Sequence, residues 1–119
     1  MIIDLEWLKS EVGTASQQLT TSLNSLCSAI NRQNLADNAL KAHRNKILVD
    51  TPDPKVLGSN EATREATLKE MTANEVIALD TASTSVQTLR NQVAVDEIRM
   101  KQLGMYLEIA KLERAPGTK

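Results

Sequence analysis

The placement of proline restricts this fold more than any other feature of the sequence. Two of the three prolines, Pro52 and Pro54, stand together near the middle of the 119-residue chain, and the third, Pro116, is close to the end. Proline has no N–H to donate and its ring clashes with the preceding turn, so it stops a helix. Residues 1–51 and 55–115 contain none, which leaves room for a long helix on each side of one interruption. Composition favours the same answer. Phe is absent, aromatic residues make up 2% of the chain, and there are four glycines, too few bulky β-formers and turn residues for a sheet protein. With 41% of residues hydrophobic the chain can still build a core.

The spacing of apolar residues predicts a helix over residues 4–49. Leu5, Leu8, Val12, Ala15, Leu19, Leu23, Leu26 and Ile30 follow one another at steps of three and four, which is helical periodicity. From Leu8 the pattern repeats at 11 as much as at 7: Leu8, Leu19 and Ile30 are each 11 apart, a repeat that packs helices with little or slightly right-handed supercoil. Gln33 and Asp37 then weaken the stripe before Leu40 and Ile47. A second helix is predicted over residues 60–114, with a heptad-like stripe that Glu75 and Asp96 interrupt. Residues 50–59 form the loop. Within it Asp53 reads as an N-cap with Pro54 at the first helical position, Gly58 as a left-handed stop, and Ser59 or Asn60 as the cap of the second helix. Gly13 and Gly104, inside the helices, read as close approaches or bends. Residues 115–119 read as a frayed tail.

Two long helices and a short loop make an antiparallel hairpin, a coiled-coil-like, all-α fold in a single domain spanning residues 1–114. Charge supports the pairing: Lys41, His43, Arg44 and Lys46 end the first helix, and Glu61, Glu65, Glu70 and Glu75 begin the second. Asp37–Lys41, Glu65–Lys69 and Glu97–Lys101 are spaced for i,i+4 ion pairs. Folding back at about residue 55 sets the uncharged stretch Val12–Asn31 beside the uncharged stretch Thr81–Leu89, giving a hydroxyl- and amide-rich girdle. At the open end Ile2, Ile3, Leu5, Trp7 and Leu8 meet Ile98, Leu103, Met105, Tyr106, Leu107, Ile109 and Leu112. Two helices bury one stripe each, a thin core for a lone hairpin. Self-association into a multi-helix bundle follows, with Leu5, Trp7, Leu8, Leu19, Leu23, Leu103, Tyr106, Leu107 and Ile109 at the oligomer interface.

Chemistry is sparse. Lys and Arg number 14 against 15 Asp and Glu, with one His and one Cys. The near-zero net charge argues against nucleic acid as a partner, and the basic cluster at Lys41–Lys46 is better spent on the acidic start of the second helix. A metal site needs more His or Cys ligands than the chain has, so neither a metal nor another cofactor is expected. Ser83, Ser85 and Cys27 have no base in sequence reach, there is no phosphate-binding glycine loop, and no catalytic residue is expected. Cys27, flanked by apolar residues, reads as half-buried. With no signal peptide and no long apolar run, the expectation is a cytoplasmic protein away from the membrane.

The run Asn60-Glu61-Ala62-Thr63-Arg64-Glu65-Ala66, followed by a long helix ending Leu103-Gly104-Met105-Tyr106-Leu107-Glu108-Ile109, resembles a class of small uncharacterised bacteriophage helix–loop–helix proteins. The resemblance covers about half the chain. It implies a phage origin, residence in the host cytoplasm and a non-enzymatic accessory role that engages a host or phage protein, and it carries no functional residues with it. The loop Pro52-Asp53-Pro54 is similar to that of secretion-needle subunits, which are also helical hairpins, though the spacing differs. The sequence therefore points to a homo-oligomer acting by protein–protein interaction. The alternatives are a needle-like structural subunit and a binder of a small ligand such as a nucleotide signal, with Arg32 and Arg90, which flank the girdle, as its candidate contacts.

Overall fold

The computed structural model describes residues 3–114. Every regular element is helical: α1 Leu5–Asp50, a short 3-10 turn Pro54–Val56, α2 Glu61–Met71 and α3 Ala73–Glu113. The predicted tail at residues 115–119, and Ile2 at the open end, lie outside the described residues. The chain divides into two compact units, one of residues 1–27 and 88–119, the other of residues 28–87. α1 and α3 each contribute to both.

The starts of α1, the 3-10 turn and α2 follow from side-chain chemistry. Asp4 accepts hydrogen bonds from the backbone N–H groups of Glu6 and Trp7 (3.0 and 3.3 Å), satisfying donors that the first helical turn leaves open. Asp53 accepts from the Lys55 N–H, with Pro54 opening the 3-10 turn, as the sequence predicts. Asn60 caps α2 by accepting from Thr63 N at 2.8 Å. Gly58, expected as a left-handed stop, serves a different need. Its φ lies outside the left-handed region, but a Cβ there would stand 2.7 Å from Thr63 Cγ2 and 2.9 Å from Arg64 N. Its carbonyl also accepts from Arg64 Nε at 3.0 Å. Gly13 and Gly104 mark no close approach: a Cβ at either meets nothing within 4 Å.

The second helix is not continuous over residues 60–114. It breaks at Thr72, which leaves helical geometry (φ −107°, ψ 23°). The Thr72 hydroxyl donates to the Leu68 carbonyl at 2.7 Å, the same oxygen that its backbone N–H uses at 3.0 Å. A Thr hydroxyl that competes in this way bends a helix, and burial of the residue at 1% exposure keeps the competition from being relieved by water.

In the first unit α1 and α3 run antiparallel, since Ile3, Glu11 and Ser22 bond to Glu113, Arg99 and Asp96 in that order. Ile3, Leu8, Ala15, Leu103 and Ala110 form its core, with Leu5, Val12 and Met100 packed against them. In the second unit Ile47, Leu57 and Leu68 cluster, and Gln33, His43 and Arg44 reach Ser83, Glu75 and Glu65. The opposite-charge pairing expected near the loop is present, and Arg44 holds both Glu65 oxygens at 3.0–3.1 Å. Asp37–Lys41 forms at 2.8 Å, while the Glu65 carboxylate is engaged by Arg44.

The seam of α1 differs from the one expected. Leu8, Ala15, Ser22, Ala29, Ala36 and His43 recur every seven residues and are all buried or half-buried, as are Val12, Leu19, Leu26, Gln33, Leu40 and Ile47. This is a heptad, the one of the two spacings that continues along the whole of α1, although Leu8, Leu19 and Ile30 also turn inward. The expected stripe departs from this seam at Leu23, which is exposed, and at Ile30, which is half-buried, while their small neighbours Ser22 and Ala29 face inward. The register moves too. A fold about residue 55 sets Ser22 opposite Thr88 and His43 opposite Thr67, but the observed partners, Asp96 and Glu75, lie about two helical turns further along. Val12–Cys27 is therefore not matched with Thr81–Leu89, and the first unit instead sets Asp96 against Ser22.

Candidate functional site

Gln33, Glu75 and Asp96, three of the polar residues that interrupt the apolar stripes, are answered across the seam, whereas Asp37 pairs with Lys41 within α1. Asp96, 7% exposed, accepts from Ser22 Oγ at 2.5 Å and from Gln92 Nε2 at 2.9 Å. Gln33 Nε2 donates to Ser83 Oγ at 3.1 Å. His43 Nδ1 and Glu75 Oε1 stand 2.8 Å apart. A buried polar group without a partner is costly, so Asp96 favours this alignment of the helices, and the half-buried pairs Gln33–Ser83 and His43–Glu75 add to it more weakly. Among the described residues no buried side-chain nitrogen or oxygen lacks a partner.

Ser22 and Asp96 also sit at the foot of an open groove of about 460 Å³ in the first unit, lined by Thr14, Gln17, Gln18, Thr21, Ser22, Gln92 and Asp96. The uncharged run of α1 supplies the hydroxyls and two of the three amides, Gln92 of α3 supplies the third, and Asp96 is the one charged lining residue. Such a lining suits a neutral or cationic polar group and repels phosphate. Arg32 and Arg90, the expected ligand contacts, are exposed, belong to different units and do not line this groove. Among the described residues no group of three or more His, Cys, Asp or Glu side chains is placed to hold a metal ion. Cys27 is a free, exposed thiol rather than a half-buried one.

The residues expected at an oligomer interface separate into three sets. Leu8 and Leu103, 1% and 0% exposed, are consumed by the core of the first unit and present nothing to a second molecule. Leu5 and Leu19 are half-buried. Trp7, Leu23, Tyr106, Leu107 and Ile109 remain exposed. The sequence reading missed a further feature on α3. Val95, Ile98, Met105, Ile109 and Leu112 are all between 43% and 68% exposed, and with Gln102 they follow one another at steps of three and four. This second heptad stripe lies on a face of α3 that the hairpin leaves uncovered. Its spacing was visible in the sequence, but it becomes distinct only once the inner stripe through Val93, Asp96, Leu103 and Ala110 is fixed.

No described helix is long and apolar enough to cross a membrane. No protein-family model, curated protein or solved structure matches the chain.

Proposed function

We propose that this protein is a non-catalytic helical hairpin that works by association, first with copies of itself and then, as an assembly, with a protein partner. The observation that carries this reading is the apolar surface of the first unit: Trp7, Ile98, Met105, Tyr106, Ile109 and Leu112 are all exposed on one small helical unit. Of these, Ile98, Met105, Ile109 and Leu112 share one stripe of α3, and an exposed apolar stripe of this kind marks a contact site. The bacteriophage resemblance of residues 60–112 gives the association a setting, an accessory protein acting on host or phage machinery in the host cytoplasm. Sedimentation velocity over a range of concentrations tests the core of the proposal. A dimer or larger species at micromolar concentration is expected, and a monomer throughout that range overturns it.

A second reading rests on the groove. Its hydroxyl and amide lining supports binding of a small polar ligand, neutral or cationic rather than a nucleotide, because Asp96 is its only charge. Native mass spectrometry of protein purified from its source tests this: a small molecule retained by the wild type and lost from Ser22→Ala supports the groove.

A further inference from the structure

We infer that the outer stripe of α3 is the seat of a second copy of the same chain, packed antiparallel to the first. The inference rests on the proposed self-association and names its surface and geometry. Labelling Val95 as position a of a heptad makes Gln102 and Ile109 the following a positions and Ile98, Met105 and Leu112 the d positions. In an antiparallel pair each a position faces a d position of the other helix. Val95 then meets Leu112, Ile98 meets Ile109, and Gln102 meets Met105, each contact occurring twice about a two-fold axis. Apolar layers lie at both ends and a polar residue near the centre, where it penalises shifted alignments.

The flanking charges select this occupant and this direction. The g positions beside the stripe include Lys101 and Glu108. Antiparallel pairing sets Lys101 of one copy against Glu108 of the other, twice. Parallel pairing instead sets Glu108 of one copy beside Glu113 of the other, a like-charge contact made twice. Both Glu108 and Lys101 are exposed, and the neighbouring Lys111 holds Glu108 only through a 3.4 Å pair with both side chains largely in solvent. An exposed pair of that kind is weak and readily exchanged. The chain thus carries, on one uncovered face, an apolar stripe and a charge pattern that is complementary to itself when reversed.

Charge reversal provides the test. Lys101→Glu and Glu108→Lys each replace two attractive contacts with two repulsive ones, and each is expected to raise the dimer Kd about tenfold. An equimolar mixture of the two variants restores opposite charges at both contacts and is expected to recover wild-type affinity in a heterodimer. Parallel packing, or association through another face, gives no recovery and overturns the inference. Ile98→Glu with Met105→Glu is the independent arm, expected to raise Kd by at least about a hundredfold, with circular dichroism checking that helicity is kept. A wild-type dimer that this double variant leaves intact overturns the inference while sparing self-association. A monomeric wild type removes both.

Discussion

Replacing Ser22 with Ala is expected to destabilise the hairpin far more than loss of a single surface hydroxyl suggests. Asp96 lies within the seam at 7% exposure, and its Oδ2 takes the Ser22 hydroxyl at 2.5 Å while Gln92 serves Oδ1. Without Ser22 one carboxylate oxygen loses its only protein donor and is left to whatever water the groove admits. A hydrogen bond to a charged group contributes about 1.5–3 kcal/mol, and the loss should fall in that range. The reverse change is asymmetric. In Asp96→Leu the Ser22 hydroxyl can turn to the carbonyl one helical turn before it, and the new side chain continues an apolar seam between Val93 and Met100. That variant should therefore lie within about 1 kcal/mol of the wild type, since apolar replacement of a buried polar group is often neutral or stabilising. The double variant Ser22→Ala/Asp96→Leu should regain most of what Ser22→Ala loses, giving a coupling energy of about 1–2 kcal/mol. Urea unfolding followed by circular dichroism measures all four proteins, at one fixed concentration because association adds to apparent stability. A Ser22→Ala loss under about 0.5 kcal/mol, additive with Asp96→Leu, would refute the claim that this pair is a buried polar lock.

Three further outcomes follow from the same geometry. Gly13→Ala and Gly104→Ala should each raise stability by up to about 1 kcal/mol, because both glycines are helical and a Cβ meets nothing at either site; thermal melts check this. Gly58→Ala should lower stability by about 1–3 kcal/mol, since the added Cβ must displace Thr63 or the α2 backbone, and a melting temperature equal to wild type would argue against the observed loop. Leu103→Ala should cost about 2–5 kcal/mol, because Leu103 is wholly buried among Leu8, Ala15 and Ala110, whereas Met105→Ala, on the uncovered stripe, should cost far less when assayed in dilute monomer.

Much of the architecture is legible in the residues themselves. Pro52 and Pro54 fix where the chain turns, Asp53 and Asn60 announce their capping roles by type and position, and Arg44 and Glu65 show that the two sides of the loop attract. Register is harder to read, because the seam is built partly from residues that carry no hydrophobic signal. Ser22 and Ala29 face inward, while the larger Leu23 and Ile30 beside them dominate any pattern of apolar spacing. Gln33, Glu75 and Asp96 look like interruptions until their partners Ser83, His43 and Ser22 are seen across the seam. Thr72 hides its break for a related reason. Heptad spacing alone carries on from Leu68 through Thr72 and Glu75 to Leu79, so it gives no sign of the break that the Thr72 backbone and its hydroxyl bond to the Leu68 carbonyl make. The candidate surfaces depend on the same register. Leu8 and Leu103 could be recognised as core only once the inner face of α3 was known, and the outer stripe through Ile98 and Met105 becomes visible by subtraction.

Which face of α3 the hairpin uses therefore decides what is left for a partner, and intramolecular disulfide trapping tests it most directly. In a Cys27→Ser background, Ser22→Cys with Asp96→Cys should oxidise readily to an intrachain disulfide, because Ser22 Oγ lies 2.5 Å from Asp96 Oδ2, only one bond beyond where a cysteine sulfur at position 96 would sit. Ser22→Cys with Thr88→Cys should not. Rapid closure of the Thr88 pair, with the Asp96 pair left open, would contradict the register and, with it, the uncovered stripe on α3.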